Sequence, residues 1–117
     1  MKKAISASLV SLLVLMACSK SGQTGGGTGT TIDCSGAAKS FSGDVNPIIQ
    51  ASCALSGCHG AGSFNGPGPL TTYQQIFSAS SSIRGAILSG TMPKNGSLTP
   101  AQKNSIICWI DAGSANN

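Results

Sequence analysis

Two thiols and an imidazole stand close together in the run Cys53-Ala54-Leu55-Ser56-Gly57-Cys58-His59. Four residues separate the cysteines, and His59, the only histidine of the 117-residue chain, follows the second directly. This pattern admits three chemistries. A C-x-x-C-H run attaches haem covalently, each thiol adding to one vinyl group, and a neutral imidazole after the second cysteine is a good iron ligand. The spacing here is longer by two residues, a rarer form of the same motif, and the expansion leaves His59 unmoved relative to Cys58. Alternatively, Cys53 and Cys58 close a local disulfide and His59 is an ordinary surface residue. In the third reading Cys53, Cys58, His59 and Cys108 hold zinc in a tetrahedral Cys₃His site. Haem attachment is the first expectation, the disulfide the second and zinc the third.

The other cysteines bear on the choice. There are five in all. If Cys18 is taken by lipid and Cys53 and Cys58 by haem, Cys34 and Cys108 remain as one disulfide pair, suited to an oxidising compartment. Two disulfides and no haem would balance equally well. A Cys34–Cys108 bond would enclose about 75 residues and stabilise by roughly 4 kcal/mol on the chain-entropy account.

The N-terminus reads as an export signal. Lys2 and Lys3 precede an apolar stretch from Leu9 to Leu15 that is too short to cross a bilayer. Leu15-Met16-Ala17-Cys18 resembles the lipobox of bacterial lipoproteins, in which cleavage leaves an acylated cysteine as the first residue. Residues 1–17 are then a signal peptide. Each buried acyl CH₂ contributes about 0.8 kcal/mol, so several chains hold a soluble domain on a membrane. Ser19 after Cys18 points, by analogy with other bacterial lipoproteins, to outer-membrane sorting within the cell envelope. Residues 18–31 form a Gly/Ser/Thr-rich tether, and residues 32–117 form one domain of about 85 residues.

Charge narrows the partners. The +4 of the whole chain falls to +2 after residue 17 (five cations, Lys20, Lys39, Arg84, Lys94 and Lys103, against Asp33, Asp44 and Asp111). No basic stripe with interleaved aromatics is present, so nucleic acid is not expected. The domain is poor in core-forming residues, with three Phe, one Trp, one Tyr and one Val. A domain of this size buries only about 60% of its chain surface and wants a disulfide, metal or cofactor as a staple.

Four short helices are expected around these groups, and no strand alternation is evident. The first starts at Asn46-Pro47, with Asn46 as cap, and runs into Cys53. Gly60 to Leu70, GAGSFNGPGPL, is loop chemistry. Short helices fit Thr72 to Phe77 and Ser81 to Leu88, the latter ended by Gly90. Thr99-Pro100-Ala101-Gln102 marks the start of the last helix by its capping box, and Gly113 its end.

This order of elements resembles the class I cytochrome c fold. It is similar above all to small bacterial cytochrome c-like domains, through VNPIIQASCALSGCH, TMPKNGSLTPAQ and CWIDAGSANN over Phe41 to Asn117. The resemblance implies an all-α fold of about four short helices around one haem c, with long Gly/Pro-rich loops. It implies that Met92, the only methionine beyond residue 17, binds the iron opposite His59. It further implies that a carbonyl of Pro67 or Pro69 accepts the bond from the other imidazole nitrogen, fixing the tautomer. Leu70, Ile87 and Trp109 would pack near the haem or serve as plain core. The expected function is that of a lipid-anchored monohaem electron carrier working with redox partner proteins, not an enzyme. A cofactor-free, disulfide-stabilised surface module is the alternative. A weak peroxidase would require an open iron position.

Overall fold

A computed structural model describes residues 31–117. The expected signal segment, the expected lipidation site Cys18 and the expected tether as far as residue 30 lie outside the described residues. Among the described residues there is no strand, and the chain is all-α. No helix among them is long and apolar enough to cross a membrane.

The ordered path starts at Ser40. Its N–H and hydroxyl donate to Asp44 Oδ2 at 2.7 and 3.0 Å, while its Oγ accepts from the Gly43 amide at 3.2 Å. This reciprocal cap winds Phe41–Val45 into a π-type turn that continues into α1, Asn46–Ser52. The helical path therefore begins before the Asn46 start expected from sequence. Asn46 is not the cap; its Oδ1 accepts from Gln50 Nε2 at 3.0 Å. Pro47 sits in the first turn of α1, where its missing N–H costs nothing.

Helices α2, Tyr73–Ser78, and α3, Ser80–Leu88, follow in close succession. Helix α2 lies one residue later than expected at each end and α3 starts one residue earlier, within the usual fraying of helix termini, while α3 ends at Leu88 as expected. Helix α4, Pro100–Asp111, starts where expected. The Thr99 Oγ1 accepts from Gln102 N at 3.2 Å and Gln102 Oε1 accepts from Thr99 N at 2.8 Å. An equivalent capping box, Thr72 with Gln75, starts α2.

The core joins the two ends of the domain. Phe41 and Val45 of the π-type turn, Ile49 of α1, Ile76, Ile83 and Ile87 of α2 and α3, and Ile106, Ile107 and Trp109 of α4 form one buried cluster. Phe41 meets Tyr73 edge-on with ring centres 5.0 Å apart, and Trp109 at 5.5 Å. The polar tips of these rings are satisfied by the C-terminal tail. The Tyr73 hydroxyl donates to Ser114 O at 2.9 Å and the Trp109 indole to Ala115 O at 2.8 Å. Asn117 in turn accepts from the Phe41 and Ser42 amides. Trp109 is thus plain core.

Two ties cross the surface. Arg84 of α3 and Asp111 of α4 form a two-bond ion pair at 2.7 and 3.1 Å. It is solvent-exposed and adds little stability. A Cys34–Cys108 disulfide, with Cα atoms 5.5 Å apart, joins the start of the domain to α4. It spans 74 residues of chain.

Closing so long a loop restricts the unfolded chain far more than the folded one, by about 4 kcal/mol on the chain-entropy account. Cys34→Ser or Cys108→Ser should therefore lower the melting temperature by roughly 15–30 °C. Thermal melts followed by circular dichroism check this. The Asp44 carboxyl is held below its ordinary value of 3.8, chiefly by the Ser40 amide and then by the Ser40 hydroxyl. A depressed carboxylate contributes stability that is present above 3.8 and is lost as pH falls through the folded value. Acid melts should show that loss, and Asp44→Asn should flatten the dependence in that range while lowering stability at neutral pH.

Candidate functional site

Helix α1 delivers the thiols. It ends at Cys53, whose N–H donates to Ile49 O at 2.8 Å. The chain then doubles back on itself. The Leu55 carbonyl accepts from both Cys58 N and Gly60 N at 3.0 Å, and the Cys53 carbonyl accepts from His59 N at 3.0 Å. The extra residues between the cysteines are absorbed by this tight winding. Gly60 is required by the close approach: a Cβ there would lie 2.9 Å from Leu55 O and 3.2 Å from Leu55 C.

His59 is buried, with 6% of its surface exposed. Its carbonyl accepts from Leu70 N at 2.8 Å, and its Nδ1 donates to a backbone carbonyl at 3.0 Å. That carbonyl belongs to Gly68, not to Pro67 or Pro69 as expected from sequence. The reason lies in the backbone. Residue 68 adopts φ +104°, which proline's ring forbids and glycine tolerates. The two prolines flank the acceptor and do not supply it. Gln50 of α1 closes the arrangement by donating Nε2 to Leu70 O at 3.1 Å.

With Nδ1 engaged, Nε2 is the imidazole nitrogen without a hydrogen-bond partner among the described residues. His59 lines a cavity of about 820 Å³ that Cys53, Cys58 and Met92 also line. Leu70, Ile83, Ile87 and Leu98 supply apolar wall and belong at the same time to the core. Lys94 is the one charged residue of the lining. The volume falls in the range of about 300–1,000 Å³ typical of small-molecule and cofactor sites. Met92 reaches the cavity from the segment after α3, which hangs on the Ala86 carbonyl through Thr91 N at 3.0 Å and Met92 N at 3.3 Å.

Cys53 and Cys58 are free thiols, so the local disulfide is not formed. Burial, and secondarily the neighbouring Cys58, pushes the Cys53 thiol above its usual range. Cys108 is bound to Cys34 and is therefore lost to a Cys₃His site. Among the described residues no three His, Cys, Asp or Glu side chains gather as metal ligands. The arrangement brings together His59, Cys53, Cys58 and Met92 on one cavity, and keeps Cys34 and Cys108 out of its lining. Asn65 also lines it, and sequence reasoning passed over it as a loop residue. What this site can do is hold one group covalently through two thioethers and offer that group an imidazole nitrogen and a thioether sulfur.

No known family, curated protein or solved structure matches this chain.

Gly60→Ala should force Cβ against rigid main chain, costing about 1–3 kcal/mol by the overpacking rule. Denaturant melts should register the loss. Gly85→Ala, where nothing lies within 4 Å of the added carbon, should be neutral or slightly stabilising.

Proposed function

We propose that this chain is a lipid-anchored, monohaem c-type cytochrome that carries single electrons in the bacterial cell envelope. The observation that carries the reading is the meeting of two free thiols, a buried imidazole with one nitrogen already engaged, and Met92 on one cavity of cofactor size. The residues fit a covalent haem chemically. Cys53 and Cys58 would hold it as two thioethers, the S–H of each added across one vinyl double bond with sulfur on one carbon and the proton on the other. Nothing is oxidised or reduced in that addition. His59 would offer Nε2 to the iron, and Met92 its sulfur.

Each side chain has a further task. The Gly68 carbonyl fixes the His59 tautomer and ring orientation. The apolar wall of Leu70, Ile83, Ile87 and Leu98 excludes water. Haem, once held, supplies a one-electron couple at its iron, whose potential follows the axial ligands, hydrogen bonding and burial. With both His59 and Met92 as ligands, no position would remain for a substrate, which suits a carrier rather than an enzyme. Cys18 and the tether would keep the domain at the membrane, within reach of redox partner proteins.

A second reading, a cofactor-free interaction module, draws on the Cys34–Cys108 disulfide, which could stabilise so small a domain without haem. Expression of the full chain with a haem-attachment system separates the two. The cytochrome should be red, stain for haem on a denaturing gel and carry the added haem mass. A colourless protein with the bare polypeptide mass overturns the proposal. Met92→Ala should retain covalent haem, lower the potential and bind carbon monoxide when reduced. Ready carbon monoxide binding by the unsubstituted protein would instead mean an open iron position and a peroxidase-like site.

A further inference from the structure

Asn65 lies in the loop between the haem-type motif and α2, exposed and without a place in the motif. Yet it touches both supports of His59. Its Nδ2 donates to Cys58 O at 2.9 Å and to Gly57 O at 3.1 Å. Its carbonyl accepts from Gly68 N at 2.6 Å. Gly68 is the residue whose carbonyl receives the imidazole N–H. The bonds close a ring. From His59 it passes through the Nδ1 bond to Gly68, from Gly68 to Asn65, and from Asn65 back to the Cys58–His59 peptide.

Only an amide of this length suits the position. Two carbonyl oxygens face the side chain, so both N–H bonds of a primary amide are used. A carboxylate would present oxygen to oxygen, and a shorter hydroxyl has one proton for two acceptors. Ser63 completes the brace: its Oγ donates to Cys58 O and accepts from Asn65 N at 3.2 Å. The loop therefore does more than cover the cavity. It ties the position of the Gly68 carbonyl to the position of the residue that must meet it.

We infer that Asn65 is a positioning residue that pre-sets the His59 imidazole, locking Nδ1–H on Gly68 so that Nε2 is presented to the cavity before any group is bound. The purpose rests on the cytochrome reading; the geometry belongs to the bare chain. Removing a second-shell partner of a metal-binding imidazole characteristically weakens the site, and here the partner is held at one remove.

The test uses the full chain without haem and, separately, the reduced haem-loaded protein. Proton NMR follows the solvent exchange of the His59 Nδ1–H and of the Gly68 amide in the unsubstituted protein, Asn65→Ala and Asn65→Ser. Exchange of the His59 Nδ1–H should quicken about tenfold in Asn65→Ala, which removes both Nδ2 bonds, while the Gly68 amide, held by the main-chain carbonyl of residue 65 that the substitution keeps, should quicken less. Asn65→Ser, which keeps one donor, should fall between. Protection of Ile106 and Ile107 in α4 should not change, which separates local release from loss of the fold. Unchanged exchange at the His59 Nδ1–H in Asn65→Ala overturns the inference. So does equal acceleration in α4, which would make Asn65 merely structural. Loss of haem staining in the unsubstituted protein would sink the cytochrome reading alone, because the exchange measurement on the bare chain stands without it.

Discussion

His59 is fixed at three atoms, and the site depends on all three. Its amide is held by Cys53 O, its carbonyl by Leu70 N and its Nδ1 by Gly68 O, at 3.0, 2.8 and 3.0 Å. A buried polar group left unpaired costs about 1–3 kcal/mol, so the loops around His59 must supply these partners or the residue could not sit inside. They supply all but one. Nε2 has no hydrogen-bond partner among the described residues, and His59 lines the cavity of about 820 Å³. The same three bonds tie the end of α1, the Gly/Pro-rich loop and the start of the α2 region to one point.

The helices are placed to serve that point. Helix α1 brings Cys53 to the cavity as its final cap, and Gln50 ties α1 to Leu70. Helix α3 gives Ile83 and Ile87 to the wall and carries Met92 on the turn after its last residues. Helix α4 contributes no cavity lining. Its part is to bury Trp109 and Ile106 against Phe41 and to anchor the disulfide. One end of the core is thus closed by aromatic packing and the C-terminal tail, while the other end opens on the cavity.

Where the sequence was legible, the signal was local. Thr99-Pro100-Ala101-Gln102 states the start of α4 in four consecutive residues, and the capping box is there. The thiol–imidazole run stands out in the sequence by side-chain type and spacing, and its three side chains line one cavity. The start of the domain could not. Ser40 and Asp44 cap a turn with a glycine inside it, no apolar period marks it, and it is held by Asn117, 76 residues away. Nor could the choice among Pro67, Gly68 and Pro69 be read from side chains, since the acceptor is a carbonyl selected by backbone angle. Asn65 escaped for a similar reason. Its bonds run backwards to main-chain oxygens seven and eight residues earlier, in a stretch that sequence marks only as loop.

Cysteine parity alone allowed two disulfides or one, and location makes the division. Cys108 precedes Trp109 on α4, so with about 100° between successive side chains one turns to the core as the other turns towards Cys34. That geometry fixes the staple away from the cavity. Cys53 and Cys58 sit on the cavity instead, where burial, and secondarily the neighbouring Cys58, pushes the Cys53 thiol up. Thiol–disulfide exchange runs through the thiolate, so that upward push disfavours attack of Cys53 on the existing disulfide. The fold thus separates a cysteine pair that holds the chain together from a pair that lines the cavity.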